Sequence, residues 1–277
     1  MPTSGTVVSN DGTRIAYEIS GNGPTLVVVA GALGYKDFPY LRSFAAAFAK
    51  DFRVVAYDRR GRGGSSDTLP YSVEKEIDDL AAVCREAGDS PIVLGIASGA
   101  ALALEGAARG VPMGQLVAFE APYITSEHRK PSHAHYESEV SGFIARGDRD
   151  GALKLFMRSV GLPSFVVAIM RLMPFWKKLR PAAHTLPYDA AIMNGFELPS
   201  TRLGAIRVPA VVVGGGKSPA ALKAAVRAVG DAVPGAQVVE IPKQSHAVKA
   251  HALSRVVQRF ARASTRGGRD AAFVEAR

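Results

Sequence analysis

The chain has one cysteine, Cys84, and one tryptophan, and nowhere an apolar run near the roughly 18 residues a membrane-spanning helix needs. A single cysteine excludes an internal disulfide and any thiolate metal cluster. Lying in a helical pattern, Cys84 reads as a small buried hydrophobe. No His, Asp and Glu set has metal-ligand spacing, and no G-x-x-x-x-G-K-[ST] frame is present. Neither a metal nor an organic cofactor is therefore implied. No charged-then-apolar segment opens the sequence, so a cytoplasmic protein with no membrane partner is expected. Basic residues exceed acidic ones, 34 against 25, for a net charge of +9. They are scattered, however, with small concentrations at Arg59-Arg60-Gly61-Arg62, Lys177-Lys178-Leu179-Arg180 and Arg262, Arg266 and Arg269. None is interleaved with aromatics, which argues against a nucleic-acid partner.

What is present is a long alternation of strands and helices. Val7 to Ser9 and Thr13 to Ile19 flank Asn10-Asp11-Gly12, a hairpin signal. Apolar strand runs follow at Leu26 to Ala30, Arg53 to Tyr57, Ile92 to Leu94 and Gln115 to Phe119, with helical spacing over 40–50 and 73–87. After Pro122 the pattern turns helical and Met-rich to about Leu203. Strands then resume at 209–213 and 236–241, with helices at 220–229 and 250–263. Such alternation implies a mostly parallel sheet with right-handed crossovers.

The stretch that organises the rest is Pro91 to Leu104, PIVLGIASGAALAL. Its Gly95-Ile96-Ala97-Ser98-Gly99 has the frame of the G-x-S-x-G nucleophile elbow, a sharp strand-to-helix turn above a parallel sheet. The middle residue is alanine, so the position that should carry the nucleophile carries a methyl group.

Four features occur in order: Gly31-Ala32 after one strand, Asp58 to Gly63 after the next, the elbow, and Gln244-Ser245-His246 after the last strand. Together they resemble the α/β-hydrolase superfamily, and the segments 102–105 and 183–189 resemble a capped actinobacterial group whose elbow usually reads G-x-S-S-G. The resemblance implies an α/β-hydrolase fold with a core of residues 1–122 and 204–264. A helical cap of 123–203 and a disordered tail of 265–277 complete the expected organisation.

By the same resemblance, His246 is the base, and backbone amides of Ala32 and Ser98 form an oxyanion hole. The orienting acid usually follows the strand at 209–213, where Ser218 stands in the aspartate's place. Glu120, after the preceding strand, is the alternative acid. With the usual acid position changed, restoring serine at position 97 is expected to recover little hydrolysis. Ser98 enters the first helical turn, where a serine has an ordinary capping role. His184, Tyr188, Trp176, Met157 and Leu33 are candidate lining residues for a hydrophobic substrate. For Trp176 and Met157, membership of the cap's own core is the simpler reading.

Two accounts of Ala97 follow. In the first, the fold serves a reaction without a covalent intermediate, such as cyclisation, lyase or C–C bond-forming chemistry on an aromatic or polyketide-type molecule. In the second, the chain is a serine hydrolase with its nucleophile replaced. A non-catalytic ligand-binding protein is a third class. The partner expected is a small hydrophobic molecule; a homodimer is left open.

Overall fold

The computed structural model describes residues 2–128 and 131–265 and opens on the expected hairpin. Strands β1 (Thr3–Val8) and β2 (Arg14–Ser20) pair antiparallel, with Val8 opposite Arg14. Gly12 takes φ 84°, and the Asp11 carboxylate accepts the Thr13 amide at 3.0 Å. Next come β3 (Thr25–Val29), α1 (Pro39–Phe48), β4 (Arg53–Tyr57), α2 (Val73–Ala87), β5 (Ile92–Ile96), α3 (Ser98–Ala108) and β6 (Gln115–Phe119). Helix α2 starts where Ser72 accepts the Lys75 amide, with Glu74 and Glu76 in its first turn, as the helix dipole favours.

Helices then run without a strand: α4 (Pro131–Ala145), α5 (Arg149–Ser159), α6 (Ser164–Met170), α7 (Pro174–Leu179), α8 (Leu186–Ile192) and α9 (Ser200–Leu203), with short 3₁₀ turns between some of them. Alternation resumes with β7 (Ala210–Gly215), α10 (Ala220–Ala232), β8 (Gln237–Ile241) and α11 (Ala250–Thr265). Beyond residue 265, the expected disordered tail lies outside the described residues.

The eight strands form one sheet in the order β1-β2-β4-β3-β5-β6-β7-β8, parallel from β4 through to β8. This is the α/β-hydrolase fold, mostly parallel and flanked by helices. Strand alternation sends side chains to two faces. Val27, Val29 and Val93 join α2, α3 and α10 in one apolar layer, through Leu80, Leu102 and Val229. Leu26, Val28, Leu94 and Ile96 join α1 and α11 in the other, through Phe44, Phe48, Leu253 and Phe260. Strands buried on both faces read as the near-continuous apolar runs seen in the sequence. The helical insertion between β6 and β7 has a third apolar cluster of its own, around Val140, Leu153, Trp176 and Leu186.

Candidate active site

The residues at issue lie at the C-terminal ends of neighbouring strands, where open α/β sheets place their ligands. Ala97 follows β5 and Glu120 follows β6, with Ile96 opposite Phe119 in the parallel register. The Ala97 amide donates to the Phe119 carbonyl at 3.0 Å, and the Glu120 amide to the Val213 carbonyl at 3.0 Å.

Ala97 sits at φ 53°, ψ −122°, and Glu120 at φ 47°. Positive φ in residues with a Cβ costs on the order of 1–3 kcal/mol each and is kept where the surroundings demand it. The elbow's glycines show the demand. A Cβ on Gly95 would lie 2.5 Å from the Ala100 Cα, and one on Gly99 would strike the Val29 carbonyl oxygen. A Cβ on Gly31 would lie 3.1 Å from the Ala97 Cβ, so the loop after β3 passes directly against the elbow apex.

Glu120 and His246 meet. His246 Nδ1 lies 2.7 Å from Glu120 Oε2, while Glu120 Oε1 accepts the Gly215 amide at 2.7 Å. The carboxylate is wholly buried and the imidazole about half exposed, so the ring's other nitrogen, Nε2, is left for chemistry. Burial alone would raise the Glu120 carboxyl. His246, the neighbouring Ser218 hydroxyl and the Gly215 amide outweigh it and hold the group below the usual carboxylate range. The carboxylate that meets His246 is thus Glu120, the alternative acid of the sequence reading.

Ser98 is not a helix cap. It is the first residue of α3, buried, and its hydroxyl donates to Asp189 Oδ1 at 2.7 Å. Asp189 belongs to α8 in the insertion and is the hub of a buried ion network. Arg59 Nη1 reaches Asp189 Oδ1 at 2.8 Å and Arg62 Nη2 reaches Asp189 Oδ2 at 2.7 Å. Arg59 Nε also meets Glu76 at 2.5 Å. Burial would raise the Asp189 carboxyl, but the charges of Arg62 and Arg59 and the Ser98 hydrogen bond hold it low. The same guanidiniums bond the Ala30 carbonyl at 3.2 Å and the Gly31 carbonyl at 2.9 Å. They therefore fix the backbone that presents the Ala32 amide. Among the described residues neither the Ala32 nor the Ser98 amide has a protein acceptor, which leaves both free to donate to an oxyanion.

The remaining predicted residues have partners of their own. Tyr188 donates to Asp67 Oδ2 at 2.9 Å and stacks on Tyr71 with ring centroids 3.9 Å apart. His184 lies 3.5 Å from the same Asp67 oxygen. Trp176 donates its indole N–H to Asp150 at 2.8 Å, and with Met157 and Leu33 it packs in the insertion's own apolar cluster. Among the described residues no group of three or more His, Cys, Asp and Glu is placed to hold a metal.

Sequence comparison settles the affiliation, since residues 26–263 match the Alpha/beta hydrolase family. The chain belongs to that family. It is 41% identical to an alpha/beta hydrolase of known structure from Sphaerobacter thermophilus, over 92% of this chain and 99% of the other, with a TM-score of 0.85. The enol-lactonase of Burkholderia xenovorans superposes with a TM-score of 0.64 at 23% identity, over 93% and 100% of the two chains, a likeness of fold alone. The proline iminopeptidase PfmaB of Pestalotiopsis fici is 27% identical over 170 residues, 59% of this chain and 53% of its own length. The chain thus spans about half the length of that curated relative.

Within the hydrolase family, a strand-end carboxylate, a loop histidine and an elbow apex are what an acyl-transfer site consists of. In this chain the strand-end carboxylate and the loop histidine are Glu120 and His246, 2.7 Å apart, and the residue at the elbow apex is Ala97. The sequence reading uses 58–63 and 183–189 only as marks of the resemblance and gives Asp189, Arg59 and Arg62 no role in the site. Their signal is faint: three arginines in a glycine-rich loop, and an aspartate closing the 183–189 segment.

Proposed function

We propose that this chain is an α/β-hydrolase-fold enzyme in which His246 is a general base acting on a carbonyl compound held at the Ala32 and Ser98 amides, with no covalent intermediate. The observation that carries the reading is the His246–Glu120 pair, at 2.7 Å, beside an apex that offers no nucleophile. Glu120 holds the imidazole by Nδ1 and stabilises it once protonated. Nε2 takes a proton from the substrate, and the two amides take up charge developing on its oxygen. Such a site suffices for proton abstraction next to a carbonyl, and so for cyclisation, lyase or C–C bond-forming steps. The substrate class is a small hydrophobic molecule of aromatic or polyketide type, bound between the helical insertion and Ala97.

A second reading has its own observation. Because Glu120 supplies the acid, the hydroxyl at position 97 is the one missing component, as in a serine ester or amide hydrolase with its nucleophile replaced. Assaying the chain and its Ala97→Ser variant side by side separates the two. The proposed reading requires His246-dependent turnover from the alanine form. The second requires an inert alanine form and an ester-cleaving serine form.

A further inference from the structure

The sequence between Asp150 and Asp189 contains no acidic residue and six basic ones: Lys154, Arg158, Arg171, Lys177, Lys178 and Arg180. The same stretch forms α5 to α8 of the insertion, and it carries most of the exposed large hydrophobic residues among the described residues. Of nine large hydrophobic residues exposed among the described residues, five fall within 160–173. They are Val160, Phe165, Ile169, Leu172 and Met173, and Leu172 is the most exposed at 86%.

Local structure explains why they cannot turn inward. Helix α6 is short, and it buries Val167. Phe165 and Ile169, four residues apart, share a different face that points to solvent. The chain continues through Leu172, whose amide bonds the Ile169 carbonyl at 3.0 Å, and Met173, whose amide bonds the Met170 carbonyl at 3.0 Å. These turns feed α7, whose Trp176 and Leu179 are buried while Lys177 and Lys178 are exposed. Arg158 and Arg171 are exposed at the ends of α5 and α6. Arg180 lies 3.6 Å from Asp150, whereas Arg158, Arg171, Lys177 and Lys178 make no ion pair among the described residues.

We infer that this outer face of the insertion docks on an anionic phospholipid surface, with Phe165, Ile169, Leu172 and Met173 entering the acyl boundary and Arg158, Arg171, Lys177 and Lys178 meeting the headgroups. Large exposed apolar side chains flanked along the chain by cations of one sign are what an interfacial contact needs, because both terms add. Spanning a bilayer is a separate requirement, and no described helix is long and apolar enough to do it. The acid-free charge decides between occupants: a second copy of this chain would bring the same cations against each other across a twofold axis. The inference does not depend on the reaction assigned to the site.

The test is co-sedimentation of the intact chain with vesicles of phosphatidylcholine alone and of phosphatidylcholine mixed with phosphatidylserine. Partitioning is expected to be at least about tenfold stronger on the mixed vesicles and to weaken as salt is raised. Lys177→Glu with Lys178→Glu, and separately Phe165→Ser with Leu172→Ser, should each reduce it about tenfold or more. All four side chains are exposed, so circular dichroism and melting should stay as in the parent. Three results would overturn the inference: no binding to either vesicle, equal binding to both regardless of salt, or partitioning untouched by either double variant. A dimer in sedimentation velocity that Leu172→Glu dissociates would also overturn it, by assigning the face to a second copy.

Discussion

Asp189→Ala should be strongly destabilising. It strips Arg62 of its only carboxylate among the described residues and leaves that guanidinium wholly buried beside the Gly31 carbonyl and the Thr185 hydroxyl. Arg59 keeps Glu76 but loses its second partner, and Ser98 loses its acceptor. Removing one member of a buried pair typically costs about 3–5 kcal/mol, because the charge left behind is uncompensated. Against a total stability of about 5–15 kcal/mol, that is a large fraction. At about 2–4 °C per kcal/mol for a chain of this size, the melting temperature should fall by about 6–20 °C. Ser98→Ala, which removes one hydrogen bond to a charged group, should cost only about 1–3 kcal/mol. Urea denaturation and thermal melts of the parent and both variants provide the comparison. A fall under about 2 °C for Asp189→Ala, or an equal loss in Ser98→Ala, would refute the claim that this aspartate latches the insertion to the core.

Two further outcomes are expected. Ala97→Ser adds a hydroxyl at an apex already held at φ 53°, in a chain whose His246–Glu120 pair is already formed. It should therefore gain cleavage of p-nitrophenyl esters with a trappable acyl group at position 97, and failure to acylate would show the apex and the imidazole to be misaligned. Glu120 is held below its ordinary value, so its ionised form contributes stability fully above about pH 4.3 and loses that contribution as pH falls through the lower folded value. The parent's stability margin over Glu120→Gln, measured by denaturant titration, should shrink as pH drops below about 4; a margin independent of pH would contradict it.

Much of the fold could be read from the chain because the sheet is buried on both faces and its strands are continuous apolar runs set off by glycine and helical spacing. The elbow was legible for a steric reason: Gly95 and Gly99 have no room for a Cβ, so the frame persists even without the serine. Glu120 is harder to see. Its role depends on the register that sets β6 beside β7 and brings the Gly215 amide onto the carboxylate, a contact 95 residues apart in sequence. Its strand-end position makes it an alternative acid in sequence, but the local pattern after β7 puts Ser218 in the aspartate's place, and with it comes the expectation that a restored serine would recover little. Ser98 shows the same limit, since its partner Asp189 lies 91 residues away on the insertion. Arg59, Arg60 and Arg62 read in sequence only as a small concentration of positive charge within a glycine-rich loop. They are the largest fully buried side chains because Glu76, Asp79 and Asp189 neutralise them, and only tertiary contacts reveal that.

The central claim is that His246 can abstract a proton from a carbonyl compound with alanine at position 97. Its most direct measurement is hydrogen–deuterium exchange at the carbon next to the carbonyl of a hydrophobic aryl ketone such as acetophenone, followed by NMR in D₂O. The parent should accelerate exchange by at least about 10²-fold over His246→Ala, the lower bound for general base catalysis, and Ala97→Ser should add nothing because no nucleophile is used. Exchange no faster with the parent than with His246→Ala, alongside efficient ester cleavage by Ala97→Ser, would contradict the account and leave a hydrolase lacking its nucleophile.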